Sequence, residues 1–521
     1  MTVNVSSLQV LIVGAGIGGL TAAVALRRQG HRVLMFEKSR FASEIGAAIH
    51  AAPNSSRLLR RLGMEPKEHG GTLMKGMAFY DGKGNLKSTS TTEGMRGNEN
   101  QDWYLIHRAH LHQALKDLAL SEKGAGRPAE LRLNCKIVDL DIEAKTIVLE
   151  TGEIFSGNLI IVSKLTKQSF TRSYVAPDAR TFPSGKSCYR WLAPEEYFLS
   201  HEATKEYASR PGYMYEWLNG DRRLYYYPCA NHTISNLVAF LPSVEAESSD
   251  TSGWSAQACK EALLGSFSAF GPGPREVLKQ APEAEIKVWS LEDMESLATW
   301  FKGPLVLIGD AAHPFMPYLG QGGAMAIEDG AALGAVLPIG TKASEIPARL
   351  ALWRKCRQNR VEHIRAFTRR NGRDPGNPEL PKPTLRHRRM SDMCELFDRR
   401  GPYKPFVANP TPRDENFSIC VREAFEVFRA AERSYLHALG IEHGGMPSLQ
   451  DQLCDPASNP IMQLRHHIQM FLTFRGLKPC MVKPAGKHIS LIMMKCLLPV
   501  MGRYNLEGQW LYALLRGPRR A

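Results

Sequence analysis

The chain has 521 residues, a formal net charge of +14, 43% apolar and 23% charged side chains. That is long enough for two or three packed units and ordinary for a water-soluble globular protein, which excludes disordered, collagen-like and small disulfide-stapled chains. No run reaches the ~18 apolar residues of a spanning helix, and the nearest, Ile489 to Met501, is broken by Lys495 and Pro499. The opening MTVNVSSLQVLIVGAG lacks the basic flank, long apolar run and small-residue cleavage site of a secretory signal, so a cytoplasmic protein is expected.

Ten cysteines are scattered singly, without a CxxC pair or a Cys/His cluster at zinc spacing. They are expected to be reduced thiols, with no disulfide framework and no metal site. The positive excess gathers in Trp353 to Arg373 and near the C-terminus. No aromatic-interleaved recognition motif accompanies it, so a solvated basic face is expected, not a nucleic-acid interface.

In chain order, "LQVLIVGAGIGGLTAAVALRRQGHRVLMFEKS" reads as strand, glycine turn, helix and a second strand ending at Glu37. Gly14, Gly16 and Gly19 form GxGxxG between that strand and helix. The first permits the turn, the second lets the backbone approach a pyrophosphate, and the third allows close helix packing. The helix N-terminus faces the phosphates with unsatisfied N–H groups, and Glu37 stands where a carboxylate binds ribose hydroxyls. Trp103 to Leu120 has helical spacing, and short strands follow from Leu131 to Glu150 with a hairpin at Glu143 and Ala144.

"GNLIIVSKLTKQSFTR" then begins as a buried strand but ends in Ser163 and Lys164, with neither glycine nor carboxylate. From Ser187 to Leu241 the pattern is β-rich and predicts an antiparallel sheet inserted into the nucleotide-binding unit. "GPLVLIGDAAHPF" returns to a buried strand ending in Gly-Asp, followed by a helix beginning near Gly322. Leu350, Trp353, Val361, Ile364 and Phe367 mark a long amphipathic helix, and a proline-rich break runs from Asn371 to Pro383. Further helices are expected beyond Gly401.

The second constellation, Gly303 to Gly330, offers Asp310 to a polyol and opens a second helix N-terminus at Gly320, Gly322 and Gly323. Two such turns in one sheet would hold a long ligand at both ends. FAD, with its ribityl chain and ring, needs this second grip, whereas NAD does not.

With these motifs the chain resembles the class A flavoprotein monooxygenases, in particular the salicylate hydroxylase-like aromatic hydroxylases, fungal examples included. The resemblance covers residues 8 to 370 or so. It rests on the first glycine motif with Glu37, "EIGAAIHAAPN", "HRAHLHQAL", "YRWLAP", "YYYP" and the Gly-Asp motif, in that order. It implies a Rossmann-like α/β fold that binds FAD, with NAD(P)H as co-substrate. By the same resemblance Glu37 binds the adenosine ribose, Arg108 packs along the cofactor, and Ala48 and His50 lie on a segment passing beside it. Asp310 holds the ribityl or pyrophosphate region, and the Gly322–Gly323 backbone faces the flavin.

The family carries Ala-Asp-Gly at the end of the strand that here ends in Val162. Either about five residues are deleted between Val162 and Ser163, or Lys164 and Leu165 replace Asp-Gly. The loss is expected to weaken NAD(P)H-driven turnover more than FAD binding.

The domains expected are 1–175, the first part of the FAD-binding unit; 176–295, a substrate-binding sheet; 296–375, the second part; and 376–521, a linker and C-terminal helical extension. On the substrate side, Arg190 and Tyr227 are candidates for the cation and hydrogen bond that favour a phenolate, with Tyr225 the alternate on the same strand face. The plainer reading is that these side chains only build the sheet. His313, in "DAAHP", is expected to be structural. The basic, apolar C-terminal tail has three open readings: a peripheral membrane helix, a cap, or an unpacked extension.

The resemblance implies hydroxylation of a small phenolic or polyketide-like aromatic, through a flavin C4a-hydroperoxide, in secondary metabolism. The alternatives are epoxidation of a terpenoid alkene and a flavin-binding protein with impaired turnover. Oligomeric state is left open.

Overall fold

The computed structural model describes residues 6–40, 47–92, 102–163, 170–243 and 256–372. The expectations for Glu44 to Gly46, for Lys164 and for everything beyond Gly372 lie outside the described residues. Among the described residues no helix is long and apolar enough to cross a membrane.

In chain order, the elements that matter to the site begin with β1 (Gln9–Val13), α1 (Ile17–Arg27) and β2 (Arg32–Phe36). Then come β3 (Gly76–Asp81), β4 (Leu86–Thr91), α2 (Arg108–Leu120) and β5 (Leu159–Val162). The middle of the chain supplies β6 (Thr181–Pro194), β7 (Tyr213–Asn219), β8 (Arg222–Cys229), β9 (Ile234–Pro242) and β10 (Lys287–Met294). The described part closes with β11 (Leu305–Leu307), α3 (Gly322–Val336) and α4 (Ile346–Asn371).

A parallel sheet runs β11–β5–β1–β2, extended by Glu130–Arg132 beyond β2 and by an antiparallel edge, Phe301–Lys302, beyond β11. Its central strands are continuous apolar runs because both faces are covered; all four residues of β5 are fully buried. Helix α1 is buried along its whole length, so its sequence is apolar all round instead of striped. It lies against α3 through small residues: a side chain at Gly330 would meet the Ala22 nitrogen at 2.7 Å, and one at Gly334 would meet Ala25 at 2.8 Å. This contact joins the helices that follow the two glycine turns. Arg27, at the end of α1, donates to the carbonyls of Leu118, Ala119, Ser121 and Gly126 and so caps α2.

The second sheet has the order Ala256–Gln257, β10, β6, β9, β8, β7, β3, β4. It is the antiparallel sheet expected from Ser187 to Leu241, with two differences. It recruits β3 and β4, from residues 76–91, across the boundary expected at 175, and β7 pairs with β3 in parallel. Single short strands with mixed faces, such as Gly76–Asp81, carry too little periodicity to reveal their sheet. One face packs an aromatic core around Tyr207, Tyr215, Trp217 and Tyr226 under short helices; the other faces the nucleotide-binding unit. Tyr104–His107, read with the helix that follows, is instead a strand pairing with Ala48–Ala51, and the helix starts at Arg108.

Candidate active site

At the first turn Gly14 has φ 99°, which favours glycine, and its N–H donates to the Phe36 carbonyl at 2.8 Å. A side chain at Gly19 would overlap the Gly14 carbonyl oxygen. Gly16 is the N-cap of α1 and offers no side-chain cap, which leaves the helix N–H groups to a ligand. Glu37 is buried; one carboxylate oxygen accepts from Ala15 N–H at 3.1 Å and the other from Ser39 N–H at 3.0 Å. A carboxylate's two oxygens can accept about four hydrogen bonds in all, the hydroxyls of a ribose among the possible donors. From α2, the His112 imidazole reaches the Ala15 carbonyl at 2.7 Å, and Arg108 lies at the helix start with its N–H on the Ala47 carbonyl.

At the second turn β11 ends at Leu307, so Asp310 does not close the strand as expected. It sits on the 3-10 turn Gly309–Ala311, after Gly309 at φ 57°. Asp310 is exposed to the cavity, and its Oδ1 lies 3.9 Å from where a Gly322 side chain would begin. A side chain at Gly323 would overlap Ile49.

Behind this loop stands a buried ionic network that sequence reading missed. Asp329 accepts from Gly309 N–H at 2.9 Å, from His313 at 2.6 Å and from Arg357 at 2.8 Å. Arg357 and Arg360 both pair with Glu328, which also accepts from Asn54 at 2.9 Å. Burial disfavours the Asp329 carboxylate, but the charges of His313 and Arg357 outweigh it and hold its pKa below the usual range. His313 is fully buried in this network, in the structural place expected for it. Arg172 adds a second brace, donating to the carbonyls of Ala311 at 3.0 Å and Asp310 at 3.2 Å.

Strand β5 lies between β1 and β11, so its end opens between the two turns. Ser163 N–H donates to the Val13 carbonyl at 3.0 Å, and Ser163 lines the cavity.

A cavity of 1030 Å³ joins all of this to the second sheet. Of the sequence candidates, Gly16, Glu37, Ala48, His50 and Arg108 line it, as do Arg190, Tyr227, Asp310, Gly322 and Gly323. Gly14 and Gly19 are outside the lining and shape the turn. The cavity's volume is at the top of the roughly 300–1,000 Å³ range of small-molecule pockets.

On the sheet wall the His50 and Tyr227 rings meet edge to face at 5.0 Å, and the Tyr227 hydroxyl donates to the Ala48 carbonyl at 3.3 Å. Arg190 lies over Trp289 at 5.3 Å, and no carboxylate pairs with it among the described residues. Burial pushes the Tyr227 hydroxyl well above its ordinary pKa, against the pull of nearby Arg190. Burial and then Arg190 lower His50 to about 4. Tyr225 is already engaged, accepting from Arg223 at 3.2 Å.

The donors present fit FAD: two uncapped helix starts, a carboxylate at each end and glycine cradles that any side chain would fill. This is the site of a flavoprotein with a Rossmann-like fold. Residues 12–61 match the NAD(P)-binding Rossmann-like domain and residues 202–368 an FAD binding domain. Hispidin-3-hydroxylase of Neonothopanus nambi is 32% identical over 409 residues, covering 75% of this chain and 94% of the relative. FAD-dependent monooxygenase cfoG of Aspergillus candidus is 34% identical over 376 residues, covering 69% and 84%.

Among solved structures, CtdE in complex with FAD and substrate 4 shares the fold at a TM-score of 0.61 and 22% identity, covering 70% of this chain and 88% of that one. Klebsiella pneumoniae HpxO complexed with FAD and uric acid does so at 0.59 and 22%, over 70% and 88%. The chain belongs to the FAD-dependent monooxygenases. Its cofactor is FAD and its co-substrate NAD(P)H.

Proposed function

We propose that the protein hydroxylates a small phenolic, polyketide-like aromatic, with the ring seated between the second glycine turn and the sheet wall of Arg190 and Tyr227. The observation that carries this reading is the single cavity lined by Glu37 and Asp310 on one side and by Arg190 and Tyr227 on the other. FAD would lie across the two turns, with Glu37 on the adenosine ribose, Gly14, Gly16 and Gly19 shaping the pyrophosphate approach, and Arg108 alongside. Asp310 would take the ribityl end, the Gly322–Gly323 backbone the flavin edge, and Ala48 and His50 the flank. Bound FAD supplies electrons from NAD(P)H and activates dioxygen. The 176–295 segment, joined by strands from residues 76–91, forms the substrate side.

The protein's own work is to make the ring electron-rich and keep the site dry. An unperturbed phenol ionises at about 10, so a cation must favour the phenolate at neutral pH. Arg190 provides that charge. Tyr227, whose buried hydroxyl stays protonated, donates to the substrate oxygen in place of the Ala48 carbonyl. Tyr225 is committed to Arg223, which favours Tyr227 over it. Met77, Phe79, Val238 and Phe240 line the ring's surroundings and exclude water.

An alkene gains nothing from a neighbouring cation, so Arg190 favours hydroxylation over epoxidation. The name of one relative, hispidin-3-hydroxylase, points the same way, and fungal secondary metabolism is the setting the relatives suggest. The test is NADPH oxidation by the FAD-loaded chain with a panel of phenols, followed by product analysis. Phenol-stimulated oxidation that yields a hydroxylated product supports the reading; oxidation indifferent to every phenol, or yielding only peroxide, contradicts it.

A further inference from the structure

Three polar side chains on the substrate wall have no part in the scheme above. Glu216 on β7 and Tyr225 on β8 are directly opposed across the strand pair, and Arg223 lies two residues before Tyr225 on the same face. All three are more than nine-tenths buried. Arg223 Nη1 donates to the Tyr225 hydroxyl at 3.2 Å, its Nε lies 3.5 Å from a Glu216 oxygen, and its guanidinium lies 5.9 Å over the Tyr318 ring. The Glu216 carboxylate and the Arg223 guanidinium both act electrostatically on the Tyr225 hydroxyl.

The arrangement has an inside and an outside. Glu216, Tyr225 and Tyr318 line the cavity, whereas Arg223 lies behind them, outside the lining. A ligand therefore meets a carboxylate and a phenol, not the guanidinium. The neighbouring wall is apolar, formed by Met77, Phe79 and Met214. An anionic group placed here would face Glu216 with its counter-charge already spent. A cationic group would add an unpaired charge to a pair that is already neutral. A neutral hydroxyl can donate to Glu216 and leave the pair intact.

We infer that Glu216, held by Arg223 and Tyr225, is a specificity-determining residue that receives a neutral hydroxyl of the substrate and turns away aromatics carrying a carboxylate. The inference rests on the proposed hydroxylase reading and narrows its substrate class: one acidic ring hydroxyl at Arg190, and an uncharged hydroxyl at Glu216. A benzoate-type acid is the wrong shape of charge for this wall.

The test compares 5-pentylresorcinol with 2,4-dihydroxy-6-pentylbenzoic acid, which share ring and tail and differ by a carboxylate. Dissociation constants are measured by calorimetry on the full-length FAD-loaded protein, alongside NADPH oxidation. Wild type is expected to bind the neutral phenol at least ~10-fold tighter, as a like-charge contact requires. Glu216→Gln, which keeps the shape and removes the charge, is expected to tighten the acid and shrink that ratio about tenfold, with FAD affinity unchanged. If the variant fails to fold, the wild-type ratio and Glu216→Asp, which keeps the charge and is expected to keep the preference, still decide. Equal or tighter binding of the acid by wild type, an unchanged ratio in Glu216→Gln, or binding of neither compound overturns the inference. Those results leave the hydroxylase reading standing so long as the chain retains FAD and hydroxylates another phenol; failure of that reading is seen separately, as loss of both.

Discussion

Around Gly14 the chain is fixed by local sterics, a positive φ and a third glycine packed on the turn's own carbonyl, whereas around Gly309 it is fixed by side chains from two later helices. The first turn draws mainly on residues 14–39, with His112 of α2 bracing the Ala15 carbonyl from outside. The second depends on Asp329, Glu328, Arg357 and Arg360, of which the arginines come from α4, a helix that brings basic residues inward as well as outward. A loop that must bind a polyol at its front needs a rigid back, and here that rigidity comes from charges that are costly to bury unless every one is paired. The two turns should therefore fail differently when damaged.

The largest effect is expected at the second turn. Arg357→Met leaves Glu328 and Asp329 short of a partner in a fully buried place, and breaking such a pair costs about 3–5 kcal/mol. Thermal unfolding should show a lower Tm even with FAD in excess, and an unchanged Tm would remove the network from the account. At the first turn, Gly19→Val drives a side chain into the Gly14 carbonyl, and overpacking costs about 1–3 kcal/mol or more. Here the expected signature is loss of flavin with a smaller fall in Tm, read from the absorbance of the purified protein.

The substrate wall should respond in rate and not in flavin content. Arg190→Met is expected to lower hydroxylation about 10²-fold or more, in the range of lost acid–base assistance, while FAD stays bound. Product yield per NADPH consumed is the measurement, and full coupling in the variant would exclude Arg190. A smaller change is expected for Glu37→Gln, which weakens charge-assisted hydrogen bonds worth roughly 1.5–3 kcal/mol. FAD titration should show a dissociation constant raised about tenfold or more.

The last expected effect is a pH dependence. His50 titrates near 4 in the folded chain against an ordinary 6.5, so between those values the unfolded chain binds more protons. Its contribution is present above pH 6.5 and is lost as pH falls toward 4, up to roughly 3 kcal/mol. His31 and His232 are displaced in the same direction by burial, so His50→Gln should flatten the slope of Tm against pH in that window without abolishing it.

This contrast also explains what the sequence could tell. GxGxxG with Glu37 is legible because its parts lie within one strand–helix–strand unit and each has a local steric reason. The run of apolar residues at Leu159 to Val162 announced a central strand, and the structure places it between the two turns, with Ser163 at its end. The second sheet was visible from Ser187 onward, but not its recruitment of Gly76–Asp81, since pairing partners are set by tertiary contacts. Asp329, Glu328 and Arg357 were hidden for the same reason. On a helix they read as ordinary surface charge, and the basic run from Trp353 reads as a solvated face, whereas Arg357, Arg360 and Arg365 are buried. "EDG" directly after an apolar stretch was the one signal available, a pair of acids on a helix otherwise built of small and apolar residues.

The most direct measurement is the flavin content of the purified full-length chain, by absorbance after denaturation and by titration of the stripped protein with FAD. About one FAD per chain, retained by Arg190→Met and lost by Gly19→Val, is the result required if one cavity holds the dinucleotide across both turns. A colourless protein that gives no binding heat with FAD, with Glu37 and Asp310 intact, would contradict it.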